Sequence, residues 1–236
     1  MIHAGARKEV AVSKGLVLIT GGYGRLGRDF ARAFREDGWS VLLAGRDRDK
    51  LSAAAQETET DYQVLDVTQE EQVLGAKRYV EERYGKLDVL INNAAVMRSE
   101  PVETMAPALF LKSITTNLYG TFLCTHHFLP LLKKSEQALV INVASTAAHR
   151  ADAGSAAYNA SKFGLRGFTE ALRKELRKTD IRVTSISPSM IRYGEAPAQG
   201  KGAGLNGRDV ADAALFLANA AGRSLFIDLE MWATNP

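Results

Sequence analysis

The sequence is poor in cysteine: Cys124 stands alone in 236 residues. A single thiol excludes an intrachain disulfide. Its apolar setting, Thr121-Phe122-Leu123-Cys124, predicts a buried structural thiol in a helix. The four histidines lack metal-ligand spacing. His126 and His127 are adjacent, so a helix turns them to different sides and they share no metal. No apolar run reaches the roughly 20 residues of a membrane-spanning helix, so no membrane partner is expected. The stretch 1–14 has no apolar core, which predicts a loose arm rather than a secretion signal, and a cytoplasmic location is the expectation. Net charge is only +3 and is spread along the chain, which gives no footprint for nucleic acid. The basic residues Arg166, Arg173, Lys174, Arg177 and Lys178 alternate with Glu170 and Glu175, as on a solvated helix face.

What is present is alternation. A hydrophobic content of 46% and a charged content of 24% suit a soluble globule large enough for one sizeable core. Short apolar runs predict strands at 16–20, 41–44, 62–65, 87–91, 139–143, 181–186 and 225–229. Amphipathic stretches predict helices at 25–37, 49–57, 69–84, 103–134, 158–178 and 209–221. Strands that alternate with helices imply an α/β fold, a doubly wound parallel sheet of the Rossmann type with about seven strands. No linker or repeat interrupts it, so residues 15–236 are expected to form one domain. A glycine-rich stretch at about 189–207, with Pro197 and no periodicity, is expected to be a mobile substrate loop.

Chemistry concentrates at a few positions. Tyr158 and Lys162 are four residues apart on an expected helix and so share a face. An ammonium there lowers the pKa of a neighbouring phenol and makes it a general acid/base for a carbonyl or alcohol. Ser145 lies upstream. The turn Thr20-Gly21-Gly22-Tyr23-Gly24-Arg25-Leu26-Gly27 joins the first strand to the first helix, where backbone amides and the helix N-terminus attract a pyrophosphate. At the end of the second strand, where NAD-binding folds favour an acid, stand Gly45 and Arg46. An arginine can clamp a 2′-phosphate, so NADP(H) is expected over NAD(H), although Asp47 follows.

Taken together these residues resemble the short-chain dehydrogenase/reductase family, classical subgroup, over nearly the whole chain. The resemblance rests on the glycine turn, on Asp66-Val67 after the third strand, and on Asn92-Asn93-Ala94-Ala95 after the fourth. It rests also on the set Asn117, Ser145, Tyr158 and Lys162, and on Pro188 after the sixth strand. It implies a dinucleotide held by Gly21, Tyr23, Gly24, Arg25, Leu26, Gly27, Arg46, Asp66, Val67, Asn93, Ala94, Ala95, Tyr158, Lys162 and Pro188. It implies hydride transfer between nicotinamide and a carbonyl or alcohol, with Tyr158 as acid/base and Ser145 orienting the substrate oxygen. Lys162 would stabilise tyrosinate and bind ribose, and Asn117 would hold a relay water. Three departures stand out. Arg25 occupies the middle glycine of the usual Thr-Gly-x-x-x-Gly-x-Gly, giving a spacing like that of extended members. Ser189 replaces the glycine after Pro188, and the chain end lacks the Gly-Gly of many tetrameric reductases.

The loop at 190–205 has few large apolar anchors, which favours a small or polar carbonyl compound over a steroid-like one. Arg192, Tyr193, Lys201, His149 and Arg150 either meet such a substrate or form a solvated loop. Phe122, Phe128, Phe163 and Phe168 are candidates for core or interface, and the resemblance implies a homodimer or homotetramer. Two rival functions remain open: an inactive NAD(P)-binding scaffold or sensor, and a sugar-nucleotide-modifying enzyme suggested by the glycine spacing alone.

Overall fold

A computed structural model describes residues 13–194 and 204–234. Most of the 1–14 arm and the centre of the 189–207 loop, Lys201 included, lie outside the described residues. The strands are β1 (Leu16–Thr20), β2 (Ser40–Gly45), β3 (Asp61–Val64), β4 (Val89–Asn92), β5 (Leu139–Val143), β6 (Arg182–Pro188) and β7 (Asp228–Met231). The helices are α1 (Arg25–Glu36), α2 (Arg48–Thr58), α3 (Glu70–Tyr84), α4 (Pro107–Ile114), α5 (Gly120–Leu132), α6 (Ala156–Glu175) and α7 (Gly207–Asn219). The strands form one sheet in the order β3-β2-β1-β4-β5-β6-β7, every pairing parallel. The order reverses between β1 and β4, and ligands bind open α/β sheets beyond the carboxyl ends of the strands at such a reversal.

Strand alternation decides which core each side chain enters. Val17, Ile19, Val41 and Leu43 face one layer with Phe30 and Phe34 of α1 and Val210 and Leu217 of α7. Leu16, Leu18, Leu42 and Leu90 face the other, with Val80 of α3, Phe128 of α5 and Leu172 of α6. Both faces are therefore covered, which is why the strands read as continuous apolar runs. Cys124 is fully buried in the second layer, as expected, and burial pushes its thiol up to about 12. Phe128 is core, Phe168 is partly buried, and Phe122 and Phe163 are exposed on α5 and α6.

Two elements differ from expectation. The single helix expected over 103–134 is a continuous helical run that begins only at Pro107: α4, a π-turn at Thr115–Tyr119, and α5. The π-turn adds one residue to the helical ladder. It presents the Asn117 amide to Val96, whose N–H donates to Asn117 Oδ1 at 2.8 Å and whose carbonyl accepts from Nδ2 at 2.9 Å. The last strand runs from Asp228, not from Leu225. Asp228 pairs with Ser185 in the ladder and accepts both the Ser185 hydroxyl at 2.8 Å and the Ser187 hydroxyl at 2.9 Å. Polar anchoring, not the apolar run before it, sets that register.

Candidate active site

Two adjoining clefts lie at the carboxyl edge of the sheet. The first, of about 560 Å³, is walled by the β1–α1 turn: Gly21, Tyr23, Gly24, Arg25, Leu26 and Gly27. Arg46 after β2, Asp66 and Val67 after β3, and Asn93, Ala94 and Ala95 after β4 complete it. At Gly21, Gly22 and Gly27 the turn has no room for a side chain. Gly21 has φ +66°, and a Cβ at Gly27 would lie 2.6 Å from the Gly21 carbonyl oxygen. Such close backbone packing at a helix N-terminus suits the pyrophosphate of a dinucleotide. Thr20 Oγ1 accepts from the N–H groups of Asn93 (3.0 Å) and Ala94 (3.1 Å), while Asn93 Nδ2 donates to the Thr20 carbonyl at 2.9 Å. These bonds clamp the β1 and β4 ends together at the topological reversal.

The end of the first cleft beside β2 carries a basic residue, Arg46. Asp47, the acid that follows Arg46, caps α2 by accepting from the Lys50 N–H at 3.2 Å and pairs with Lys50 Nζ at 2.9 Å. The Lys50 hydrogen bond holds its carboxyl below the usual range. Asp47 is thus paired locally, and Arg46, exposed, lines the cleft just before the N-terminus of α2. Tyr23 covers Gly45, where an added Cβ would meet its ring at 2.6 Å. Arg25 turns from the backbone of the glycine turn onto the β6–α7 loop: its guanidinium carbon is 5.1 Å from the centre of the Tyr193 ring. Tyr193 in turn faces Asp29 of α1, and burial first, then that carboxylate, pushes its phenol up to about 12.

The second cleft, of about 550 Å³, is lined by Ser145, Tyr158, Lys162 and Pro188, and shares Leu26, Asn93, Ala95, Met97 and Ile191 with the first. Helix α6 delivers Tyr158 and Lys162, and Ser145 caps a 3₁₀ turn (Thr146–Ala148) that follows β5, its Oγ accepting from the Ala147 N–H at 3.2 Å. The Ser145 hydroxyl is near enough to the Tyr158 phenol to act to lower its pKa. Burial is the larger influence and holds that pKa above the ordinary value.

Lys162 shares α6 with Tyr158, but its hydrogen bond goes elsewhere. Lys162 Nζ donates to the Val143 carbonyl at 2.7 Å and stands 5.7 Å from the centre of the Tyr158 ring, over its face rather than at its oxygen. Buried, the amine is lowered to about 8. Asn117 lines neither cleft. Both its amide hydrogens are used, one on Val96 and one on Ser161 Oγ at 2.9 Å. Its side chain ties the post-β4 loop to α6.

Several lining residues gave no signal in the sequence: Met97, Thr116, Ile191 and Trp232. Met97, Ile191 and Trp232 belong to loops whose paths depend on tertiary contacts, and Thr116 lies in the π-turn. The loop after Ser145 is pinned twice. Asn159 of α6 donates to the carbonyls of Ala147 (2.9 Å) and Arg150 (3.0 Å), and His149 Nε2 pairs with Asp228 Oδ2 at 2.8 Å. Among the described residues no cluster of histidine, cysteine and acids could hold a metal, and no helix is long and apolar enough to cross a membrane.

Comparison with known proteins agrees with this architecture. An uncharacterised oxidoreductase of Staphylococcus saprophyticus is 31% identical over 212 residues, 85% of this chain and 89% of that one. The serine 3-dehydrogenase of Agrobacterium fabrum is 34% identical over 179 residues, 75% of this chain and 72% of that one. The crystal structure of a metagenomic short-chain oxidoreductase in complex with NADP superposes with a TM-score of 0.83 at 28% identity, covering 95% of this chain and 99% of that one. The short chain dehydrogenase model matches residues 15–199, and with the fold and the two clefts this identifies the chain as a member of the short-chain dehydrogenase family.

Proposed function

We propose that the protein is an NADP(H)-dependent oxidoreductase that interconverts a small carbonyl compound and its alcohol, with Tyr158 as general acid/base. The reading rests on one observation: Ser145, Tyr158 and Lys162 line one cleft, which shares its wall with the glycine-lined cleft. With the pyrophosphate of the dinucleotide held at the glycine turn, its nicotinamide would reach the adjoining Tyr158 cleft and supply or accept the hydride there. In reduction the carbonyl oxygen accepts hydrogen bonds from Ser145 and Tyr158, and Tyr158 gives its proton as negative charge grows there. In oxidation Tyr158 takes the alcohol proton. Lys162 is protonated on most molecules at neutral pH, because its pKa of about 8 lies above it. Its charge then favours the deprotonated phenol and can bind the nicotinamide ribose. Arg46, with Asp47 paired to Lys50, supports a 2′-phosphate and hence NADP(H). The NADP carried by the metagenomic relative agrees with that choice. Exposed Phe122 and Phe163 on α5 and α6 support a homodimer or homotetramer.

The test is loss of NADPH absorbance with a panel of small aldehydes, ketones and oxo acids. Turnover with NADPH well above that with NADH is expected. Tight NADPH binding with no turnover would favour a scaffold, and conversion of a sugar nucleotide without net NADPH consumption would favour the extended-type enzyme.

A further inference from the structure

The substrate cleft holds a charged group that the hydride chemistry does not use. Arg150 lines it together with the catalytic side chains, on the loop that carries Ser145. This arginine is exposed, yet it is not loosely held. Its carbonyl accepts from Asn159, and its neighbour His149 is paired with Asp228. Its guanidinium stacks on Trp232, carbon to ring centre 4.9 Å, and the Trp232 indole N–H is fixed by Glu230 Oε1 at 2.7 Å. Glu230 approaches Arg150 itself only to 3.9 Å, beyond hydrogen-bond length. The face of the guanidinium is therefore occupied, and its N–H edge has no hydrogen-bonded acceptor among the described residues.

A planar cation at the wall of a substrate cleft, stacked on one face and with no hydrogen bond on its donor fork among the described residues, is suited to take a carboxylate through two parallel hydrogen bonds. We propose that Arg150, oriented by Trp232, is the carboxylate subsite of the Tyr158 cleft, so that the substrates are small hydroxy acids and oxo acids. This rests on the reading of the cleft as a carbonyl/alcohol site and names its substrate class. Arg150 is a binding residue here, and Trp232 and Asn159 position it.

The experiment compares acetoacetate with methyl acetoacetate, which differ in the charge that Arg150 would read, in NADPH-dependent reduction by the wild type, Arg150→Gln and Arg150→Lys. The wild type should favour the acid in kcat/KM. In Arg150→Gln the acid-to-ester ratio should fall by about 10- to 100-fold, mainly through KM, as for loss of a charge-assisted hydrogen-bond pair. Arg150→Lys should recover part of it. A ratio unchanged in Arg150→Gln, or a wild type that prefers the ester, overturns the subsite while leaving ketone reduction by Tyr158 intact. Calorimetric titration of butyrate into the NADP-loaded protein decides the subsite even without turnover. Binding by the wild type that is lost in Arg150→Gln supports it, and equal binding or none in the wild type overturns it.

Discussion

Replacing Lys162 by methionine removes a buried amine whose charge the fold tolerates at a cost. The ammonium is almost fully enclosed and has one protein hydrogen bond, to the Val143 carbonyl. Burial lowers its pKa from 10.5 to about 8, which corresponds to about 3 kcal/mol at roughly 1.4 kcal/mol per pH unit. The folded amine loses its proton above about pH 8, while the unfolded chain keeps it to about 10.5. Between these values the unfolded state binds more protons, so this group makes the protein more stable as pH rises. Below about pH 8 both states are protonated and the penalty is present in full. From about pH 7 to about pH 9.5 the stability of the wild type relative to Lys162→Met should therefore rise by about 2 kcal/mol. Taking the difference cancels groups that titrate alike in both proteins. Urea unfolding of both at the two pH values measures it, and thermal melts should show a relative gain of about 4–8 °C. A difference that stays constant with pH would refute the claim that Lys162 is held as a desolvated cation, and with it the argument for its near-neutral proton affinity.

Two further outcomes follow from the nucleotide cleft. Gly27→Ala puts a Cβ 2.6 Å from the Gly21 oxygen and should cost about 1–3 kcal/mol of stability while weakening NADPH binding, read by melting with and without cofactor. Arg46→Ala should weaken NADPH binding by about 10- to 100-fold with little effect on NADH, read by nicotinamide fluorescence titration; an equal change for both cofactors would remove the 2′-phosphate argument.

What could be seen in the sequence was what depends on neighbours along the chain. The glycine turn needs only its own backbone and the start of α1, and Tyr158 and Lys162 share a face because a helix puts them there. The strands were visible because helices cover both sheet faces. What could not be seen depends on contacts across the fold. The π-turn exists where Asn117 reaches Val96, a partner in another loop. The start of β7 is set by Asp228 against Ser185 and Ser187, whereas Leu225 and Ile227, the apolar residues that suggested a strand, are exposed. Lys162 follows the Val143 carbonyl rather than the phenol oxygen, a choice that helical spacing does not encode. Arg150 and Trp232 are remote in sequence and meet only because β7 lies beside β6, behind the Ser145 loop.

The central claim is tested most directly by Tyr158→Phe, assayed for NADPH affinity and for reduction of a carbonyl substrate in the same preparation. Removal of one hydroxyl should leave NADPH affinity at the wild-type value and lower kcat by about 100- to 10,000-fold. Turnover near the wild-type rate in that variant would contradict the account.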